Sequence, residues 1–314
     1  MSQKSVFTIT RMDIEKEIDL LIKRAIAEDV DHGDITTKAC LHTSTEIQGS
    51  FQLKQSGVVA GLPLLPRIFQ LLDPTIEVNP LVQEGSFQKA GTHIASITGS
   101  SSAILTGELV ALNILQHASG VATITQEYVS RIAGLKCDII DTRRTLPGLR
   151  ALEKYAVAVG GGKSHRYNLA DYFVIKSSHL AFLLVGPNHP IDEAVARVKA
   201  YNPQLPIEIQ IDNAEYIETI LKHDFRAIML RNMTIDELAQ CVATIRSVNK
   251  KIYLAFSGSV TLETIRALAE TGINGVSVSA LTHSIADIEM GLRLYQPHKA
   301  SHADGHKEVI AAKS

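Results

Sequence analysis

Positively charged side chains stand at three points in the second half of the chain: Arg143 with Arg144, His165 with Arg166, and Lys176. Arg143 with Arg144, and likewise Lys176, stand at the ends of short apolar runs. His165 and Arg166 come shortly after three consecutive glycines. Guanidinium groups bind planar carboxylates and phosphates through paired hydrogen bonds, and a lysine at the end of a buried strand needs an anionic partner. If the three points converge, they predict a site for a small ligand with two or more negative charges.

Each point also has a plainer explanation. Neighbouring arginines are common on protein surfaces, a triple glycine suits a flexible loop, and a lysine at a strand end can pair with a structural acid. The glycine run at residues 160–162 is not a P-loop, because the G-x-x-x-x-G-K-[ST] spacing is absent. A ligand role therefore depends on a fold that brings the three points together.

From about residue 136 onward, short apolar runs alternate with segments of helical periodicity. This alternation predicts parallel strands joined by crossover helices. A doubly wound sheet is the alternative, but no G-x-G-x-x-G follows any run, and the number of units favours an α/β barrel, whose chemistry collects at the carboxyl ends of the strands. The runs span residues 138–141, 172–176, 207–211, 227–231, 252–256 and 275–279.

The amino-terminal part has a different pattern. Residues 13–28 repeat apolar side chains at helical spacing and predict a helix. Between residues 46 and 98, short β-like runs are interrupted by glycines. This part therefore reads as a small, separate α/β domain.

Composition indicates a globular protein with a local anion site. The 314 residues are 45% hydrophobic and 20% charged, which is enough for two domains with a sizeable core. The 31 basic and 33 acidic residues leave a net charge of −2, so no overall field attracts nucleic acid or an anionic membrane. We predict neither of these partners.

Cysteine usage and the amino terminus indicate the compartment. Cys40, Cys137 and Cys241 are far apart and lack metal-ligand spacing, as expected for a reduced environment. The first residues carry charges throughout, which predicts neither a secretory signal nor a membrane span there. We therefore expect a cytoplasmic protein.

The carboxyl-terminal segment 297–314 is rich in His, Lys, Ala and Ser and lacks periodicity. We expect a disordered tail. His298, His302 and His306 could bind a metal ion, but a solvated tail is the simpler interpretation.

In order and spacing, five segments resemble the quinolinate phosphoribosyltransferase family, also called nicotinate-nucleotide pyrophosphorylase (carboxylating). The resemblance covers about residues 14 to 296, and five ordered motifs make a chance match improbable. The segments are Glu28-Asp29 with Gly33-Asp34-Ile35-Thr36-Thr37, Ala111-Leu112-Asn113 with Ser119-Gly120-Val121-Ala122-Thr123, Asp141-Thr142-Arg143-Arg144-Thr145-Leu146-Pro147-Gly148-Leu149-Arg150, Glu153-Lys154-Tyr155-Ala156-Val157, and Ala280-Leu281-Thr282-His283-Ser284.

The resemblance implies a fold and an assembly. An N-terminal α/β sandwich would span residues 1–115 and be completed by a C-terminal helix at about 284–296. It would pack on an incomplete (β/α) barrel over residues 116–283, as in type II phosphoribosyltransferases. A homodimer or hexamer is also implied, in which a neighbouring sandwich covers each barrel mouth.

The resemblance further implies an activity. Family members join quinolinate to phosphoribosyl diphosphate with magnesium and give nicotinate mononucleotide, carbon dioxide and diphosphate, a step of NAD biosynthesis. By resemblance, the quinolinate pocket contains Arg143, Arg144, His165, Arg166 and Lys176, with Lys176, His165 and Arg166 as catalytic candidates. Arg144 replaces the usual lysine. The phosphates would face Arg231, Ser257, Ser259 and Ser279.

Four positions depart from the family pattern. Leu109 replaces an arginine that the family delivers from the neighbouring subunit, and Ser177 replaces an acid at the barrel mouth. Gln210 and Arg231 replace the two acids that normally hold magnesium. Because magnesium prefers carboxylate oxygens, we predict no metal ligand here and no firm cofactor.

These departures leave the activity open. One hypothesis is an active phosphoribosyltransferase that holds the diphosphate with Arg231 in place of metal. A second is a divergent paralogue that binds a dicarboxylate or a phosphorylated metabolite, or acts on another substrate. A third is a structural subunit that pairs with an active homologue.

Overall fold

A computed structural model of the chain describes residues 11–41, 44–183 and 189–295. In the first part, the helices are α1 (Arg11–Val30), α2 (Ile35–Cys40), α3 (Leu65–Gln70) and α4 (Ser101–Arg131), and the strands are β1 (Glu46–Leu53), β2 (Gly57–Val58), β3 (Glu77–Pro80), β4 (Phe87–Gln88) and β5 (His93–Ser100). The later strands are β6 (Asp138–Ile140), β7 (Phe173–Lys176), β8 (Ile207–Ile211), β9 (Ala227–Arg231), β10 (Tyr253–Ser257), β11 (Gly275–Ser277) and β12 (Met290–Tyr295). The later helices are α5 (Arg150–Val159), α6 (Ser177–Phe182), α7 (Pro190–Tyr201), α8 (Ile217–Ile220), α9 (Ile235–Val248), α10 (Ile265–Glu270) and α11 (Ala280–His283).

The described residues form two compact units. The barrel unit contains residues 127–145 and 161–283. The sandwich unit contains residues 11–126, 146–160 and 284–295.

Six parallel strands form the sheet of the barrel unit, in the order β6-β11-β10-β9-β8-β7. Each strand from β7 to β10 pairs with the next one along the chain, and β11 pairs with β6. In the described chain β6 and β7 do not pair, so the barrel is incomplete. Lys163 instead forms a parallel bridge with Ile140 of β6. The six apolar runs predicted as strands are therefore confirmed, as is the α/β barrel.

Burial on both faces explains why these strands are apolar. In β8, Ile207, Ile209 and Ile211 are buried, and Glu208 between them is fully buried as well. Ile140, Met229 and Ala255 form one cluster of the barrel core. Side chains at the strand ends are consequently held by packed strands and extend from a rigid base.

The sandwich unit is built on an antiparallel sheet of order β12-β1-β5-β3. Helix α1, which confirms the helix predicted over residues 13–28, buries Ile18 and Ile22 and contacts α3 and α5. Phe51 of β1 and Phe69 of α3 pack with ring centroids 6.1 Å apart.

The C-terminal helix expected at about 284–296 is not present, and that prediction was wrong. Residues 290–295 form β12, which pairs with β1 from Leu53 opposite Met290 to Gln48 opposite Tyr295. Met290 and Leu292 are buried while Arg293 is exposed, and this alternation suits a strand. Gly291 further disfavours a helix.

No helix within the described ranges is long and apolar enough to cross a membrane. The expected tail at residues 297–314, with His298, His302 and His306, lies outside the described residues.

Candidate active site

The carboxyl ends of the barrel strands surround a cleft of about 510 Å³. Thr142, Met229, Asn232, Gly258 and Ser277 contribute to its lining. Ten of the residues singled out in the sequence also line it, namely Arg143, Arg144, His165, Arg166, Lys176, Gln210, Arg231, Ser257, Ser259 and Ser279. The fold thus brings together the three cationic points.

One side of the cleft, the dicarboxylate wall, consists of Arg143, Arg144, His165, Arg166 and Lys176. In the loop after β6, both backbone polar groups of Arg144 form hydrogen bonds. The Arg144 N–H donates to the Thr142 hydroxyl at 2.9 Å, and the Thr282 hydroxyl donates to the Arg144 carbonyl at 2.6 Å.

Within the described residues, His165 is the member of the dicarboxylate wall that pairs with an acid, Glu208. Across the described residues, Arg143, Arg144, Arg166 and Lys176 form no ion pair. The Nε atom of Arg143 is buried and has no hydrogen-bond partner. Since an unpaired buried donor is costly, this wall is suited to an anionic ligand.

Burial and mutual repulsion act on the same groups. Burial lowers the pKa of Lys176, and the charges of Arg166, Arg231 and Arg143 lower it further. Burial and the charge of Arg143 likewise lower the pKa of Arg166, whose guanidinium donates to the Tyr172 carbonyl at 3.3 Å. A bound anion would relieve this repulsion.

His165 is held from two directions by fully buried acids. Its backbone N–H donates to Asp141 Oδ1 at 2.8 Å, and its ring Nε2 lies 2.9 Å from Glu208 Oε2. Asp141 also accepts from the Ser164 hydroxyl at 3.0 Å. The segment before it is not a free loop, because Lys163 exchanges backbone hydrogen bonds with Ile139 and Asp141.

The opposite side, the phosphate wall, consists of Gln210, Arg231, Ser257, Ser259 and Ser279, from β8 to the segment after β11. Arg231 and Ser257 are in register on neighbouring strands. Asn232 follows with a φ of 54°, a left-handed conformation that asparagine tolerates, and its N–H donates to the Ser257 carbonyl at 3.1 Å.

The phosphate wall does not suit magnesium. None of the described lining residues carries a carboxylate, and the described chain contains no cluster of three His, Cys, Asp or Glu side chains that could hold a metal ion. Gln210 offers only a neutral amide, which donates to Glu208, and Arg231 is cationic. Magnesium requires oxygen ligands, mainly carboxylates, so these residues fit an anion rather than the ion.

Two residues predicted from the family pattern are not in the cleft lining. Leu109 lies on α4 of the sandwich unit and is 56% exposed. Ser177 begins α6, and its hydroxyl donates to Asp212 Oδ1 at 3.1 Å.

The sequence pattern predicts no role for Glu208, or for Asp141 as a support for His165. Both acids lie in or at the end of apolar strands, where an unpaired charge is unfavourable. For Glu208, the available signal was a charged residue inside an Ile-rich run, with another polar residue two positions later on the same strand face.

Comparisons with known proteins agree with this architecture. A family model described as "Quinolinate phosphoribosyl transferase, C-terminal domain" matches residues 121–293, and its N-terminal counterpart matches residues 34–119. A Synechocystis protein named "Probable nicotinate-nucleotide pyrophosphorylase (carboxylating)" is 39% identical over 264 residues, which are 84% of this chain and 88% of that protein. A Mycobacterium leprae nicotinate-nucleotide pyrophosphorylase is 36% identical over 279 residues, covering 87% of this chain and 95% of its own.

A solved structure is similar as well. The crystal structure of NadC from Streptococcus pyogenes has a TM-score of 0.83 and 31% sequence identity, and the match covers 93% of this chain and 99% of that one.

The fold and the site define the class, which is an incomplete α/β barrel whose strand ends surround a cationic cleft. Within this class, the chain belongs to the quinolinate phosphoribosyltransferase family.

Proposed function

We propose that the barrel unit transfers phosphoribosyl from phosphoribosyl diphosphate to quinolinate, or to a similar aromatic dicarboxylate, without magnesium. The observation that carries this proposal is the position of Arg231. It lines the same cleft as the dicarboxylate wall, among described lining residues that include no carboxylate. A cation there can neutralise the diphosphate, as the metal does in family members.

Arg143, Arg166 and Lys176 are assigned to the two carboxylates of the aromatic acid. Their support is the absence of ion pairs among described residues and the unsatisfied Nε of Arg143. His165 and Arg144 complete the pocket. Arg144 replaces a lysine of the family pattern. Its planar guanidinium favours paired hydrogen bonds to one carboxylate or phosphate.

Arg231 is assigned to the diphosphate, together with the hydroxyls of Ser257, Ser259 and Ser279. All four side chains line the cleft. A hydroxyl donates one hydrogen bond to a phosphate oxygen, whereas the guanidinium supplies charge as well. Arg231 therefore accounts for most of the expected binding on this wall.

The reaction then needs little acid-base chemistry. The lone pair of the ring nitrogen attacks the anomeric carbon, and the bond from that carbon to the diphosphate breaks, so that diphosphate leaves with the electron pair. The bond between the ring and the adjacent carboxylate breaks next, carbon dioxide leaves, and the ring carbon takes a proton from solvent. The protein orients the reactants and neutralises their charges.

We infer a homodimer or hexamer as the assembly. Leu105 and Leu109 lie one turn apart on α4 and are 38% and 56% exposed, as expected of a helix face that a second copy covers. Sedimentation of the purified protein distinguishes a dimer or a hexamer from a monomer. We also infer a reduced, cytoplasmic setting, which the three free thiols support.

The test is formation of nicotinate mononucleotide from quinolinate and phosphoribosyl diphosphate, followed with excess EDTA and with magnesium. The proposal predicts product in EDTA. Product only with magnesium would contradict the metal-free role of Arg231.

A second candidate function is favoured by the loss of both family acids at Gln210 and Arg231. It is a paralogue that binds a dicarboxylate or a phosphorylated metabolite without transfer. Calorimetric binding of quinolinate or phosphate by folded protein, with no product after long incubation, would select this candidate.

A further inference from the structure

A buried carboxylate lies next to the dicarboxylate wall without lining the cleft. Glu208 is fully buried, and each of its oxygens has a partner. Oε2 lies 2.9 Å from Nε2 of His165, and Oε1 accepts from Nε2 of Gln210 at 2.9 Å. Both partners line the cleft, so Glu208 connects the two walls.

The groups around Glu208 are cations and hydrogen-bond donors. Arg166 and Lys176 interact electrostatically with it, and positive charge stabilises a carboxylate. The amide of Gln210 donates to it at 2.9 Å. Because a carboxylate oxygen accepts hydrogen bonds, the contact with His165 places a proton on Nε2.

Gln210 contributes to this arrangement because its amide nitrogen, and not an oxygen, contacts Glu208 Oε1. A glutamate at residue 210 would bring a second carboxylate towards Glu208 Oε1, where the amide nitrogen now lies at 2.9 Å. Two carboxylates in one site repel, and one of them takes up a proton. That proton would disturb the acceptor that His165 requires.

We propose that Glu208 is a positioning residue that keeps a proton on Nε2 of His165 and fixes the ring in the cleft wall. Gln210 holds Oε1 of Glu208, so that Oε2 is directed at the ring. Asp141 holds the backbone of the same histidine, as described above. The consequence for catalysis rests on the proposed function, whereas the position of the proton does not.

The direct test is NMR of the full-length protein with ¹⁵N-labelled histidine, recorded without substrate. The His165 signals are assigned from their loss in His165→Asn. In the wild type, Nε2 of His165 should resonate as a protonated nitrogen. An unprotonated Nε2 in the wild type would overturn the proposal.

Two substitutions of Glu208 separate the roles of its acceptor atoms and its charge. Glu208→Leu removes both acceptors, and His165 should lose its preference for the Nε2 proton. Glu208→Gln keeps one acceptor oxygen and should give an intermediate spectrum. His223, which pairs with Asp192, is the internal control and should not change. An unchanged His165 signal in folded Glu208→Leu would refute the assignment.

If Glu208→Leu does not fold, Gln210→Glu decides, because residue 210 is only partly buried. We expect a weakened Nε2–H signal in this variant, and an unaltered signal would count against the proposal.

Kinetics separate positioning from simple electrostatics. Removing an acid makes the cleft more cationic, so an electrostatic role alone would lower KM for the anionic substrates and leave kcat unchanged. A positioning role predicts that kcat falls by about tenfold or more, the typical effect of losing a supporting partner of a functional histidine. If the protein makes no product, the NMR result still stands and only the proposed function fails.

Discussion

The two walls of the cleft share a rigid base of parallel strands but differ in how they relate to the family. The resemblance assigns the cations of the dicarboxylate wall to carboxylate binding. By the same resemblance, Gln210 and Arg231 of the phosphate wall replace two acids of the family pattern. The fold is unaffected by these exchanges. The matched sequence therefore shows the family, whereas the charge of the phosphate wall bears on the proposed reaction.

The largest expected effect on ligand binding comes from a substitution in the dicarboxylate wall. Lys176→Ala should weaken quinolinate binding roughly 30-fold or more, since losing one partner of a desolvated charge pair costs about 2 kcal/mol or more. Isothermal calorimetry measures this effect. Lys199→Ala, an exposed lysine on α7, is the matched control. Unchanged affinity in Lys176→Ala would remove the central residue of this wall.

A smaller effect is expected from a change in the phosphate wall alone. Arg231→Gln should weaken diphosphate binding about tenfold, because glutamine still donates a hydrogen bond and the loss is then about 1.5 kcal/mol, the lower end for a hydrogen bond to a charged group. Quinolinate binding should change little. Arg197→Gln, at an exposed position of α7, serves as the control. Equal losses for both ligands would show that the two walls are not separate.

Restoring acids to the phosphate wall tests whether its charge decides the metal requirement. The double variant Gln210→Glu with Arg231→Asp restores the acids of the family pattern. We expect it to bind diphosphate only with magnesium, because carboxylates supply the oxygen ligands that this ion prefers. Binding that is equally tight in EDTA would show that these two positions do not decide the metal requirement.

The pH dependence of quinolinate binding tests whether Lys176 of the dicarboxylate wall holds the ligand. Its pKa is lowered in the free protein, and a bound carboxylate raises it again. Quinolinate affinity should therefore begin to fall as pH passes the lowered pKa of the free protein, and continue to fall up to the pKa of the complex. Lys176→Arg, which stays charged, should bind with little pH dependence over this range. The same fall in both proteins would exclude Lys176 as the titrating group.

The smallest expected effect concerns Leu109. Leu109→Arg should change the free energy of unfolding by no more than about 0.5 kcal/mol, because the side chain is exposed. If a second copy places α4 at the cleft, quinolinate affinity should rise by up to about fivefold, as for a partly exposed ion pair. Leu105→Arg, one turn away, is the control for a general charge effect. An equal rise in both variants would indicate that position 109 has no special role.

The sequence predicted the parts of the molecule that depend on local pattern. The six apolar runs predicted the six strands of the barrel. The polar residues that follow these runs lie at one end of the barrel, because parallel strands point the same way. The error at residues 284–296 arose because the resemblance was followed there, although Gly291 and the alternation around Leu292 indicated a strand.

The role of Glu208 could not be predicted in this way. Its partners, His165 and Gln210, come from different segments, and only strand register and burial bring the three polar groups together. A charge inside an apolar run is unfavourable in isolation, and a periodic pattern does not show which distant donors satisfy it.

The most direct measurement of the central claim is calorimetry of diphosphate binding to the wild-type protein in EDTA and then in magnesium. The account predicts binding in EDTA, weakened by added magnesium because the ion competes for the ligand and is repelled by Arg231. Binding that appears only when magnesium is present would contradict it.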